Sequence, residues 1–545
     1  MTLLRSGPPQ AADSSGKTLF EVSPRTVVAA SLLAAAAIGL AGSWGDISLG
    51  DECAHVRHVR AYLESGRRVP YDPAFGRHFQ RQYLNPVVFN GTPLWHAGLA
   101  ILWGVAGRES QVLAQAYQAG FYLLLVLSVY FGARRLWGSS EASWAWLFTA
   151  TMPMVCAYGL LLYQDVPGAA VSAMALLLLW RGNFFWAGVV LAAAYLTKMN
   201  MLVFAPWAVV FAAWRAGGSW KRRLACAVLV GAPVAAAFAY DMGWRLAVYG
   251  SITGYKYPPT WASETGLPSA AIHALVVQPK GYVTWKPFPV LDLKAVVSHF
   301  GLPLLFGLLA APFRARDVLS RWLWACLAVG IAGYLIVFLP MEGTQIRYLF
   351  PIIPVVALLV GRAVGQWRFP RWLRVAVVAV CVLQAAVTVA YVAHARQIPA
   401  WDKAAYIWVR AHTPASGRIM FPEQVLVNQT GRTYIWEELN PAYFMAEADD
   451  AVREEILRTF GVTHIAVPLR RLYDRRREGT HAGGYARDFV EGLEAKPYLA
   501  KVYANPGFIV FEVRPRSKPP RGDGQAPPGP ATAPPASGPA GTPGR

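Results

Sequence analysis

The chain reads as an all-α polytopic membrane domain followed by a small α/β domain outside the membrane. Three observations predict this. Hydrophobic residues make up 55% of the 545 positions and charged residues only 15%, and the mean hydropathy is +0.32, a balance that does not suit a soluble protein. Apolar runs recur with lengths near the roughly 20 residues that a helix needs to cross the hydrocarbon core. From about residue 394 those runs stop and short, mixed, charged segments replace them.

About eleven spans are expected, at 25–43, 113–133, 141–159, 166–181, 184–199, 200–215, 223–240, 297–313, 321–340, 348–363 and 372–393. Basic residues orient them. Arg134-Arg135, Arg181, Arg215 with Lys221 to Arg223, Arg314 with Arg316 and Arg321, and Arg362 through Arg374 fall on alternate connections, which the positive-inside rule assigns to the cytoplasm. The N-terminal segment 1–24, with Arg5 and Lys17, joins them. The first exterior loop 44–112, Asp165, the long loop 241–296, the short loop from Glu342 to Arg347 and everything after residue 393 then face the extracytoplasmic side of a cytoplasmic (inner) membrane. The first span is expected to stay in place rather than be cleaved as a signal peptide, because Gly42-Ser43-Trp44 is a poor small-residue cleavage site.

A net charge of +20 would suggest nucleic acid in a soluble protein. Here much of the excess lies in connections that meet anionic headgroups, so no nucleic-acid partner is expected. The five cysteines, at 53, 156, 226, 326 and 381, show neither metal-ligand spacing nor a paired framework and read as small core residues.

In the segment 394–515, strands are expected at Arg418 to Pro422, Thr463 to Leu469 and Phe508 to Val513, with helices at Asp449 to Phe460 and Tyr485 to Ala495. Residues 516–545, dominated by Pro, Gly and Ala, cannot bury a core and are expected to be disordered.

The chemistry-bearing residues begin just after the first span. Asp51 and Glu52 open an amphipathic segment in which Asp51, His55, His58 and Tyr62 share one face and Val56, Val59 and Leu63 form an apolar stripe beside it. Gly66 is its expected stop, and the helix is expected to lie in the membrane interface. A second apolar segment, Pro93 to Gly107, is short for crossing and suits the surface. Taken alone, Asp51 also fits a helix N-cap.

Further along stand Tyr163-Gln164-Asp165, then Thr197-Lys198-Met199-Asn200, then Gln345-Ile346-Arg347-Tyr348-Leu349-Phe350-Pro351. In order and sidedness this set resembles the GT-C superfamily of polyprenyl-phosphate-sugar-dependent glycosyltransferases. The Asp51-Glu52-x-x-His55 segment with Tyr163-x-Asp165 is similar to the dolichyl-phosphate-glucose α-1,2-glucosyltransferase. The acidic pair is also similar to protein O-mannosyltransferases and to bacterial lipid A aminoarabinose transferases. The resemblance covers roughly residues 25 to 390 by architecture and a handful of positions by motif. The glucosyltransferase pattern Arg-Gln-Thr-Asn is replaced by Leu196 to Asn200, and the soluble domain looks more like the tails of bacterial members, so a bacterial homologue is expected.

The resemblance implies a polyprenyl-phosphate-linked sugar as donor and a lipid-linked glycan, a lipid or a protein as acceptor. An attacking hydroxyl needs a base, for which Asp51 is the candidate. Charge building on the leaving phosphate needs cations, for which Lys198 and Arg347 stand at the exterior ends of spans. Each also fits an ordinary snorkelling cation. Asp165 is placed to orient the acceptor or share the catalytic role, although Asp before Pro167 and Gly168 also suits a turn. Glu52 and His55 could hold the sugar or assist a divalent metal ion, and Tyr163, Asn200 and Gln345 complete the substrate-binding set. No cofactor is required. His78, Tyr83, His96, Lys280, Lys286 and Lys294 could shape the acceptor site. The outcome expected is an inverting transfer. Two other readings account for many spans: a secondary transporter, which should show two similar halves and mid-membrane polar sites, and a noncatalytic membrane assembly factor.

Overall fold

The computed structural model describes residues 20–48, 50–68, 93–249, 293–338, 346–367, 369–420, 425–435, 450, 454, 457–458, 461–469 and 487–514. The chain is a multipass membrane protein with a small sheet at its C-terminal end. Helix α1 (Pro24–Trp44) starts on a capping Ser23, whose hydroxyl accepts from the Thr26 N–H, and carries Pro24 in its first turn. Then come α2 (Gly50–Ser65), α3 (Pro93–Val105), α4 (Gln111–Leu136), α5 (Ser139–Thr151), α6 (Pro153–Leu160), α7 (Asp165–Arg181), α8 (Phe184–Thr197), α9 (Phe204–Ala216), α10 (Trp220–Tyr249), α11 (Leu293–Phe300), α12 (Leu302–Arg314), α13 (Val318–Phe338), α14 (Ile353–Gly365) and α15 (Arg371–Ala395).

Every expected span falls on one of these helices, but several are interrupted. Six described helices are long and apolar enough to cross a membrane, seven if a bent pair counts as one, where about eleven full spans were expected. The expected span 141–159 is split into α5 and α6 at Pro153, whose missing N–H is harmless only in a first turn. Gly301, at φ +83°, separates α11 from α12. The segments expected to open at 200 and 348 begin instead as 3₁₀ turns, Met199–Val203 and Ile346–Ile352. The remaining apolar helices, including α3, α8, α12 and the described apolar part of α13, are 10–17 residues long.

The sharpest interruption positions the site. Helices α6 and α7 meet at 117° across residues 161–164, which leaves backbone groups that a bilayer-embedded chain must satisfy internally. Buried Gln118 of α4 does much of this: its amide nitrogen donates to the Tyr158 and Tyr163 carbonyls at 2.8 and 3.0 Å. Glu52 accepts from the Leu162 N–H at 3.1 Å. A side-chain amide in α4 and an acid in α2 thus hold the turn from which Tyr163, Gln164 and Asp165 project.

Helix α2 is largely covered by protein. Glu52, Cys53, Ala54, Val56, His58, Val59 and Ala61 are all buried, because α2 packs on α3 and under the C-terminal domain. Val56 and Val59 sit with Trp95, Leu99 and Trp103 in a cluster of their own; burying each Val is worth about 1.5–3 kcal/mol. Leu63, expected in the same stripe, is exposed. Gly66 ends the helix as expected, at φ +66°.

The C-terminal domain packs α16 (Ala400–His412), α17 (Val425–Thr430) and α18 (Arg487–Glu494) with a sheet in the order β2-β1-β3-β5-β4. The strands are β1 (Arg418–Met420), β2 (Thr433–Ile435), β3 (Val462–Pro468), β4 (Leu499–Asn505) and β5 (Phe508–Val513). Strand β1 runs parallel to β2 and β3, and β5 runs antiparallel to β3 and β4. The three expected strands correspond to β1, β3 and β5; β2, β4, α16 and α17 were not anticipated. The core joins Tyr406 and Val409 of α16 to Ile465, Ala466 and Val467 of β3 and Phe511 of β5, and it includes Cys53 of α2. Of the cysteines, Cys53, Cys156, Cys326 and Cys381 are buried and Cys226 is partly so; all are free thiols, as small core residues should be. The expected helix at Asp449 to Phe460 and the tail 516–545 lie largely or wholly outside the described residues.

Candidate active site at one end of the helices

Residues from four separate stretches of chain meet where α2, the α6–α7 bend, the end of α8 and the 3₁₀ turn before α14 converge. The Lys198 ammonium forms an ion pair with Asp165 Oδ1. The side chain of Asp165 is 1% exposed and that of Lys198 13%, so neither is an ordinary hydrated surface charge. Their closeness depends on Gly168, one turn into α7, where a Cβ would stand 3.2 Å from Lys198 Cβ and 2.7 Å from Met201 Cε. Asp165 Oδ2 finds no hydrogen-bond partner among the described residues, an acceptor left for something else.

Two aromatic rings gather the cations. Lys198 Nζ lies 5.9 Å from the Tyr348 ring centroid, and the Arg347 guanidinium lies 5.3 Å from the Tyr163 ring and 5.5 Å from that of Tyr348, within cation–π range. Asn200 donates to the Tyr348 carbonyl at 3.4 Å, tying the turn after α8 to the turn before α14. Arg347 is buried by protein.

His55 faces the same place. Its ring centroid is 5.7 Å from that of Tyr163, and its Nδ1 lies 3.0 Å from His96 Nε2. Burial, then the neighbouring His96, His58, Lys198 and Arg347, hold its pKa well below the usual 6.5, so the imidazole is neutral at pH 7. Burial acts the same way on His58.

Glu52 has a different surrounding from that expected of a sugar-facing acid. It is fully buried, and its carboxylate takes a two-pronged ion pair from Arg396, at 2.8 Å from the terminal nitrogen and 3.3 Å from Nε. The other terminal nitrogen donates to the Gly42 carbonyl at the end of α1. Asp51 occupies the first turn of α2, one residue before Glu52 and one helical turn before His55; its side chain lies outside the described residues, as does all of Gln345. His78, Tyr83, Lys280 and Lys286 also fall outside them, and of Lys294 only the helical backbone is described.

Sequence reasoning gave no special weight to Gln118, Gln164, Tyr348 and Arg396. It also passed over a buried cluster beside the site, where Asp241 accepts from Arg68 at 2.5 Å, Tyr195 at 2.7 Å and Arg245 at 3.0 Å. Polar residues inside apolar helices, Gln118 and Asp241 among them, were the available signal. Among the described residues, no group of three His, Cys, Asp or Glu side chains is disposed to hold a metal ion.

At the opposite ends of the helices, Arg362 pairs with Glu141 at 2.7 Å and Asp317 at 3.1 Å, and Arg215 donates to the Trp180 carbonyl at 2.7 Å. The basic connections therefore gather at the end away from the site.

Comparison with solved structures decides the architecture. ArnT from Cupriavidus metallidurans bound to undecaprenyl phosphate is 14% identical and superposes with a TM-score of 0.55 over 89% of this chain and 97% of that one. The membrane domain has the GT-C fold. The Archaeoglobus fulgidus oligosaccharyltransferase AglB, in complex with an inhibitory peptide and a dolichol-phosphate, shares it at 13% identity, with a TM-score of 0.56 over 91% of this chain and 75% of that one. The same oligosaccharyltransferase in a complex with zinc and sulfate is 14% identical, with a TM-score of 0.55 over 90% and 73%. A family model described as dolichyl-phosphate-mannose-protein mannosyltransferase matches residues 92–244, which include Asp165 and Lys198 but neither α2 nor Arg347. No curated protein matches the sequence. The GT-C architecture that the resemblance implied is thus borne out, and the match of residues 92–244 to a glycosyltransferase family model agrees with it.

Proposed function

We propose that this chain transfers a sugar from a polyprenyl-phosphate donor to a hydroxyl acceptor, on a lipid-linked glycan, a lipid or a protein, at the extracytoplasmic face of the inner membrane. One observation carries the reading: Lys198 and Arg347, from helices far apart in sequence, converge over Tyr348 beside Asp165 and His55. Two largely enclosed cations that share one ring suit an anion arriving from the lipid side. The undecaprenyl phosphate and dolichol-phosphate in the ArnT and AglB structures are anions of that class.

In this reading the acceptor hydroxyl attacks the anomeric carbon and its proton passes to Asp51. The bond from that carbon to the phosphate oxygen breaks, and the prenyl phosphate leaves as an anion between Lys198 and Arg347. A single displacement inverts the anomeric centre. Asp165 holds Lys198 in place before the donor binds and offers Oδ2 to the acceptor. Tyr163 and Asn200 keep the two cation-bearing turns in register, and Gln345 extends the substrate-binding set.

Purified protein incubated with prenyl-phosphate glucose, mannose or arabinose tests this. Transfer from one of the donors, lost in Asp51→Asn and Arg347→Ala, is the expected result. Unimpaired transfer by Asp51→Asn would remove the base assignment, and no transfer with any donor would remove the function.

A further inference from the structure

The polar residues between α2, α3 and the α6–α7 bend form a directed chain. Gln164 Nε2 lies 3.2 Å from His96 Nδ1, and an amide nitrogen can only donate. His96 Nδ1 therefore accepts, which leaves the proton of the neutral ring on Nε2. That nitrogen lies 3.0 Å from His55 Nδ1 and donates to it in turn. With Nδ1 of His55 accepting, the proton of this ring stands on Nε2. We infer that His96 is a positioning residue that fixes His55 as a neutral Nε2–H donor, aimed at an oxygen of the sugar-phosphate donor rather than serving as the base.

The surroundings agree with that assignment. His96 is fully buried in α3, and His55 is partly open. The His96 ring is enclosed by Trp95, edge-on at 5.3 Å, by His58 at 5.0 Å and by Tyr62, stacked at 6.4 Å, so it cannot turn over without repacking α2 against α3. Gln164 is itself held in the bend that Gln118 and Glu52 satisfy. A third full positive charge beside Lys198 and Arg347 would be costly in a buried site, whereas a neutral N–H donor adds a directed hydrogen bond to a phosphate or sugar oxygen without one. The proton of the acceptor must then go to a carboxylate.

The inference rests on the proposed function for what His55 contacts, but its central claim is about a proton position and has its own readout. Full-length protein with ¹⁵N-labelled histidine, in lipid nanodiscs at neutral pH, should show His55 as the Nε2–H tautomer, assigned by its loss in His55→Gln. His96→Leu should turn the His55 signal into a tautomer mixture, and His96→Gln, which keeps an N–H donor near the Nε2 position, should restore it. Undecaprenyl phosphate alone should shift the His55 Nε2 resonance in wild type.

Transfer assays supply the second arm. His55→Gln, which keeps a donor but cannot act as a base, should retain transfer within about tenfold, whereas His55→Leu should lose about a hundredfold or more. An Nδ1–H tautomer in wild type, an unchanged His55 signal in His96→Leu, or, with wild type active, equal inactivity of His55→Gln and His55→Leu with both folded would overturn the proposal. A correct tautomer with no transfer from any donor would leave it standing and overturn the function instead.

Discussion

The pair Glu52–Arg396 offers the sharpest quantitative test of how this site is held. Both side chains are fully buried, and three guanidinium contacts join the last span to α1 and α2. Removing one partner leaves the other charge buried without compensation, at roughly 3–5 kcal/mol, whereas replacing both by apolar groups of similar volume is close to neutral. Arg396→Met alone should therefore destabilise by about that amount. The double variant Glu52→Leu/Arg396→Met still strands the Leu162 N–H, at about 1–3 kcal/mol, so it should fall between wild type and the single variant. Unfolding by denaturant in detergent, extrapolated linearly for all four proteins of the cycle, measures this. Losses that simply add would refute the coupling. The same cycle separates two roles of Glu52: if it only anchors, transfer in the double variant should recover with the folded fraction, and if it takes part in the chemistry, the folded double variant should stay inactive.

Arg347→Ala should lower kcat by about 10²–10³-fold through loss of charge stabilisation on the departing phosphate, and Arg347→Lys should recover part of it; a kcat unchanged in Arg347→Ala would count against the phosphate site. Gly168→Ala should push a methyl into Met201 and Lys198, at about 1–3 kcal/mol, and weaken donor binding more than the matched control Gly120→Ala, where a Cβ meets nothing. His55 and His58 have folded pKa values held well below 6.5 by burial, so below that pH the unfolded chain binds more protons. Stability should stay flat above about pH 6.5 and fall with acidification by about 1.4 kcal/mol per pH unit for each histidine; His58→Gln should shallow that slope, and a slope unchanged by it would refute the linkage. For sidedness, Arg108→Cys should react with an impermeant thiol reagent in intact cells and Arg316→Cys only after permeabilisation, both positions being exposed; the reverse pattern would invert the topology.

What could be read in the sequence was whatever is local and repetitive. Apolar run length located the described helices that are long and apolar enough to cross a membrane, and β5 was bounded to the residue because Phe508 to Val513 is a β-branched and aromatic run closed off by Asn505-Pro506-Gly507. Strand β4 escaped because Ala500, Lys501 and Ala504 give Leu499–Asn505 a weak strand signal. The interruptions at Pro153, Gly301 and Pro351 were visible as residues but not as breaks, since a helix breaker inside an apolar run is decided by which neighbours satisfy the freed backbone. The same limit hid the partners of the site residues. Asp165 and Lys198 stand 33 positions apart and Glu52 and Arg396 stand 344 apart, so nothing local couples them. His96 carried a signal, a single histidine in an apolar helix flanked by Trp95 and Trp103, but its direction of donation depends on Gln164 across the bend.

Helix α2 is held by several separate contacts. Glu52 anchors the helix to the last span and to the α6–α7 bend, Cys53 enters the core of the C-terminal domain, Val56 and Val59 fill the cluster with Trp95 and Trp103, and His55 is bound to His96. With about 3.6 residues per turn, contacts at five positions on more than one face leave a rigid helix little freedom to rotate or slide. Asp51 directly precedes Glu52 on this helix, so its backbone position follows from the contacts of its neighbours. A base that must meet an acceptor hydroxyl within hydrogen-bond distance gains from such fixing, since small misplacements are costly in rate. Among the described residues, the C-terminal domain bears on α2 through Cys53, whose side chain enters its core, while Arg396 at the end of the last span holds Glu52. Widening the Cys53 contact, as in Cys53→Leu, should displace α2 and reduce transfer while leaving the Lys198–Asp165 pair across the site intact.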